Sequence, residues 1–152
     1  MNPITRLLAA LVAATVIGLS AGPAALAQTV EETNARLDQV FGEHESFGDV
    51  FDILYAAVEA RDAATVASLA KYPLRVFTNG EEYEIDSETT FIENYDTIIT
   101  PSIADVIVSQ DFALLFVNQD GVMYGDGDVW VSPICIDDAC ERYRWLIVTI
   151  QE

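Results

Sequence analysis

The chain has 152 residues, with 25 Asp and Glu against 7 Lys and Arg, one His and a formal net charge of −18; that length allows one domain and little more. So few cations exclude nucleic acid or an anionic membrane held through phosphate contacts. At 51% apolar and 10% aromatic, the chain can bury a core and is not an acidic disordered tail.

Met1–Thr5 and Arg6 precede an apolar and small-residue run from Leu7 to Leu19, followed by Gly22, Pro23 and the triplet Ala25-Leu26-Ala27. Charge, apolar stretch and small-residue site in that order form a secretory signal peptide cleaved after Ala27. The run falls short of the roughly 20 apolar residues of a membrane span and is broken by Gly22 and Pro23. Loss of Arg6 leaves 6 basic against 25 acidic residues, or −19. The expectation is a periplasmic or secreted protein with no membrane contact after cleavage.

Residues 28–47 are polar and punctuated by Gly42, and Gly48 follows; they read as an arm or a short helix from about Val30 to Phe41. The domain proper is expected over residues 48–152. From Asp49, Val50, Phe51, Ile53, Leu54, Ala57 and Val58 recur at helical spacing, with Asp52 and Glu59 pointing away. Arg61-Asp62 interrupts, and Asp62 is placed to cap a second short helix carrying Val66, Leu69 and Ala70, ended by Pro73. Leu74 to Thr78 then alternates, Asn79-Gly80 supplies a type I′ turn, and Glu82 to Ile85 alternates back. Centring the turn there pairs Leu74 with Ile85 and Val76 with Tyr83 on one face, and Arg75 with Glu84 on the other.

Ser87 caps a helix carrying Phe91, Ile92 and Tyr95. Thr100-Pro101 is a cap with proline at the first helical position, opening a helix with Ile103, Val106 and Ile107. Phe112 to Val117 reads as an apolar strand and Asp120-Gly121 as a hairpin turn. Val122–Tyr124 and Val129–Val131 continue as strand around a bulge or bend at Gly125-Asp126-Gly127, and Tyr143–Ile150 is a last apolar strand. In an exported chain Cys135 and Cys140, flanking Ile136 to Ala139, are expected to close a disulfide across a hairpin tip. The alternative, a redox or metal pair, lacks the two-residue spacing and any nearby His or further Cys. The fold class is α+β, an antiparallel sheet with helices packed on one face.

That order of elements, with particular residues, resembles the nuclear transport factor two-like superfamily, also called the SnoaL-like or cystatin-like cone. The residues that carry the resemblance are Ala56–Ala70 with its Arg61-Asp62 break, Tyr72-Pro73-Leu74, Phe91 with Tyr95-Asp96, and Gly121-Val122-Met123 running into Gly125–Trp130. It looks most like exported bacterial members of unassigned activity and covers about Phe47 to Ile150. The resemblance implies a curved sheet and a conical pocket, used by some members as an isomerase or dehydratase site and by others to bind small molecules or proteins. It also implies a homodimer through the open sheet face in some members. Fold does not choose among these uses.

An isomerase-like site needs a carboxylate base and a protonated Tyr and Asp donor pair in an apolar cavity. Tyr95 and Asp96 are the catalytic candidates on that pattern, and Tyr55, Tyr72, Tyr95, Trp130 and Trp145 are candidates for lining the pocket. Asp52 lies on the polar face of its helix. Asp120, Asp126, Asp128, Asp137 and Asp138 cluster near turns but do not match the roughly twelve-residue calcium loop. His44, between Glu43 and Glu45, has no metal-site partners. No phosphate-binding glycine loop is present, and neither metal nor cofactor is expected. The leading expectation is therefore a domain that binds a small apolar ligand or a protein partner through the cone pocket or the sheet face. The alternative is a small cofactor-independent isomerase or dehydratase.

Overall fold

The computed structural model describes residues 28–152, so the signal-peptide reading of residues 1–27 lies outside the described residues. Among these, no helix is long and apolar enough to cross a membrane. The chain opens with α1 (Val30–Phe41), α2 (Glu45–Glu59) and α3 (Ala63–Ser68), then the strands β1 (Ala70–Thr78) and β2 (Glu81–Ile85). Three short helices follow, α4 (Glu88–Glu93), α5 (Tyr95–Ile98) and α6 (Pro101–Ser109), before β3 (Phe116–Asn118), β4 (Gly121–Tyr124), β5 (Val129–Cys135) and β6 (Tyr143–Gln151). The fold is α+β: one open six-stranded sheet in the order β2-β1-β6-β5-β4-β3, with helices over one face.

Helix ends follow local chemistry. Thr29 and Glu32 form a reciprocal capping box at α1, and Gly42 closes it in the left-handed conformation. Asp62, Ser87 and Thr100 each accept a backbone N–H three residues on, capping α3, α4 and α6. The β1–β2 hairpin has the expected register, Leu74 to Ile85, Arg75 to Glu84 and Val76 to Tyr83. Arg75 nevertheless ion-pairs diagonally, its Nε 3.6 Å from Glu82, an exposed contact of little energetic weight.

Five expectations are corrected. Helix α2 begins at Glu45, four residues before Asp49, because the Glu43 carboxylate accepts the Ser46 N–H at 2.9 Å. Its buried face is consequently Phe47, Leu54, Ala57 and Val58, while Ile53 is left exposed. Pro73 does not end α3, which stops at Ser68; it lies within β1, where the β1–β6 register shifts between Ala70 and Arg75. Phe112–Leu114 is a 3-10 turn capped by Asp111, so only Phe116–Asn118 is strand. The β3–β4 turn is Gln119-Asp120, because Asn118 pairs with Gly121. Gly125–Asp128 is a full hairpin turn between β4 and β5, not a bulge in a continuing strand.

The sheet is also mixed where an antiparallel one was expected: β1 runs parallel to β6, with Val76 opposite Ile150. The inner face carries Leu74, Val76, Val122, Tyr124, Val129, Val131, Trp145, Ile147 and Ile150, all buried against Leu54, Val58, Phe91, Ile103 and Ile107 of the helices. The space between the layers is occupied by these side chains.

Cys135 and Cys140 are joined in a disulfide, with Cα atoms 4.9 Å apart. The disulfide encloses the expected four residues, but the hairpin loop is longer: Cys135 pairs with Tyr143, leaving residues 136–142 to turn. The Asp137 carboxylate holds this loop independently, accepting from the N–H groups of Glu141 (2.9 Å) and Arg142 (3.0 Å) and from Arg142 Nε (3.2 Å). A Cys135→Ser/Cys140→Ser protein should therefore keep its fold and lose about 2 kcal/mol in urea unfolding, the loop-entropy value for so short a closure. A loss of the native far-ultraviolet spectrum would contradict this.

Candidate functional site

The outer face of the sheet carries a row that crosses every strand: Glu84, Arg75, Thr149, Trp130, Met123 and Phe116 oppose one another in turn from β2 to β3. No helix covers it. Phe116 is half exposed, Phe77 lies beside the row on β1, and Trp130 and Met123 are only partly shielded. A cleft of about 400 Å³ opens along the row between Arg75, Asp120, Trp130, Ser132, Val148 and Gln151. It shares Gln151 with a second cleft of about 320 Å³ bounded by Phe77, Asp126, Gly127 and Asp128. Gly121 allows β4 and β5 to approach closely here, and Ser132 Oγ donates to the Asp120 carbonyl at 2.6 Å. An apolar strip of this kind, bordered by polar groups, is the usual form of a binding surface.

The expected pocket residues do not converge. Trp145 lies on the inner face, edge-on to Phe41 and Phe47 with centroids 4.8 and 5.0 Å away, and its Nε1 donates to Ser46 Oγ at 3.0 Å. Trp130 lies on the outer face, so the two tryptophans form no common wall. Tyr55 is at the surface, its hydroxyl reaching Glu59 at 3.4 Å. Tyr72 is half buried and donates to the Ala67 carbonyl at 2.8 Å. Burial, with the nearby Glu88 charge, pushes its hydroxyl up to about 12.

Tyr95 and Asp96 are adjacent in sequence but not in environment. The Tyr95 ring is buried and its hydroxyl has no partner among the described residues. Burial pushes its pKa up, against the lowering effect of Arg61, whose guanidinium carbon lies 5.9 Å from the ring centroid. Asp96 points to solvent and hydrogen-bonds Arg61. A proton-transfer pair in an apolar cavity requires both groups to be desolvated together; here only the tyrosine is.

Two further polar features were not legible as sites. Glu43 Oε1 accepts from the Tyr143 hydroxyl at 2.6 Å and from the Ser46 hydroxyl, tying the α1–α2 turn to β6. Burial raises the Glu43 pKa, but the Ser46 and Tyr143 hydrogen bonds outweigh it and leave the carboxyl below its ordinary value. His44 hydrogen-bonds Asp38 at 2.8 Å, which raises its pKa. The other feature is Tyr124, fully buried on β4 and stacked on Phe51 at 5.7 Å, with no partner for its hydroxyl among the described residues. Burial and the charge of Asp52 push its pKa far up, so it is neutral throughout the working range. Because an unpaired buried hydroxyl is a cost, Tyr124→Phe should leave stability unchanged or raise it by about 1 kcal/mol in urea unfolding; a clear loss would mean the hydroxyl is satisfied in solution.

No group of three or more His, Cys, Asp or Glu side chains suited to hold a metal occurs among the described residues. The carboxylates of Asp120 and Asp128 serve turns instead: Asp128 accepts the Asp126 N–H at 2.9 Å, and Asp120 accepts from the Asn118 side-chain amide at 3.4 Å. No protein-family model, curated protein or solved structure matches the chain.

Proposed function

We propose that the chain is an exported binding domain of the nuclear transport factor two-like kind, engaging a partner protein through the outer face of its sheet in the periplasm or outside the cell. The observation that carries the reading is the uncovered row Phe116–Met123–Trp130 running across three adjacent strands. Helices on one face of an open sheet fit what the resemblance implies, and a formed disulfide fits an oxidising compartment. The small-ligand use of a cone pocket is less favoured, because the space between sheet and helices is filled by Phe47, Tyr124, Trp145 and their neighbours. An isomerase-type reaction is less favoured because Asp96 is solvated.

A photo-crosslinking residue placed at Met123 in the producing cell tests the reading. Discrete crosslinked species from position 123, absent when the same residue replaces exposed Ile53 on α2, are the expected result. Equal labelling from both positions, or none from 123, would overturn it.

A further inference from the structure

The borders of the outer face say what kind of partner it takes. Around the apolar strip stand Glu82 and Glu84 on β2, Asp120 at the β3–β4 turn, Asp126 and Asp128 at the β4–β5 turn, and Glu152 after β6. Arg75 is the one cation in the row, and its Nε faces Glu82. Residues 28–152 carry 6 basic against 25 acidic residues, so the acidic border stands on a surface that is strongly negative as a whole, and its field reaches about 10 Å, the screening length at 0.1 M salt. Six strands about 4.8 Å apart give a face about 24 Å across.

Resting on the proposed binding role of this face, we infer that its partner is a basic polypeptide, presenting apolar side chains to Phe116, Met123 and Trp130 and Lys or Arg to the surrounding carboxylates. A second copy of the chain is the poorer occupant, since a two-fold pairing sets one acidic border against the other. A small apolar molecule is poorer still, because an open sheet face cannot enclose most of its surface as ligand pockets do. Nucleic acid and anionic lipid bring the wrong sign. The carboxylates would raise the association rate and the apolar strip would slow dissociation.

The test uses the disulfide-bonded protein and two synthetic amphipathic helices, one of Leu and Lys and one of Leu and Glu, titrated by calorimetry at low and high salt. The Leu–Lys helix is expected to bind, to weaken with salt, and to weaken about tenfold on Phe116→Asp or Met123→Ser and on Asp120→Asn with Glu82→Gln. Ile53→Asp, on the far side, should change nothing. The Phe116→Asp arm is decisive, because adding a negative charge would strengthen mere attraction between a polyanion and a polycation. Binding that is unchanged or stronger in that variant overturns both the inference and the proposed use of the face. Binding of the Leu–Glu helix, or a doubled mass by light scattering that Phe116→Asp abolishes, leaves the face as the binding surface and overturns the basic partner.

Discussion

Replacing Phe47 by alanine is expected to lower the unfolding free energy by about 3–5 kcal/mol, the range for deleting a buried aromatic side chain. Phe47 has no exposed surface and stands where α2 meets both β6 and the turn after α6. Its ring centroid lies 5.0 Å from Trp145, 6.2 Å from Phe112 and 6.5 Å from Phe51. Those rings belong to three separate elements, so no small movement of one closes the cavity. Against a typical total stability of about 5–15 kcal/mol, the loss is a large fraction. Ile53→Ala, one helical position from the middle of the same helix but exposed, should stay within about 0.5 kcal/mol. Urea unfolding of both proteins, followed by tryptophan fluorescence, measures the difference. Equal effects would mean the helix is rotated from the face described.

That contrast also shows which parts of the fold local sequence could specify. Caps at Asp62, Ser87 and Thr100, and the hairpin centred on Asn79-Gly80, depend on residues a few positions apart, and each was legible. The face of α2 was not, because its start depends on Glu43 reaching forward to Ser46; starting at Asp49 left Phe47 outside the helix and counted Ile53 into the core. The parallel pairing of β1 with β6 joins Arg75 to Thr149 across most of the domain, and nothing local marks it. Without that pairing the outer row cannot be assembled. A hairpin turn placed at Asp120-Gly121 would set Phe116 opposite Gly125; the Gln119-Asp120 turn sets it opposite Met123 and makes the apolar strip continuous. The tryptophans illustrate the same dependence. Trp130 opposes Met123 and Thr149 facing outward, whereas Trp145 opposes Pro133 facing inward, a distinction only the registers determine.

Position 121 joins stability to the binding face. Gly121 has φ +142°, in the region that side-chain-bearing residues rarely adopt, and a Cβ there would collide with the Val131 carbonyl oxygen and sit 2.7 Å from Ser132 Oγ. The obstacle is mostly backbone of the paired strand, so relief requires β4 and β5 to part. Gly121→Ala should therefore cost about 3 kcal/mol, combining backbone strain with a disturbed strand pair. It should also displace Met123 from Trp130, since Val122–Val131 and Met123–Trp130 are the pairs next to it. Gly48 offers the opposite case. It lies inside α2 with nothing within 4 Å of its missing Cβ, so Gly48→Ala should gain about 0.5–1 kcal/mol from helix propensity alone. Unfolding of the two variants in urea should consequently move in opposite directions. If both move the same way, the close approach of β5 to Gly121 is not what holds the outer row in register.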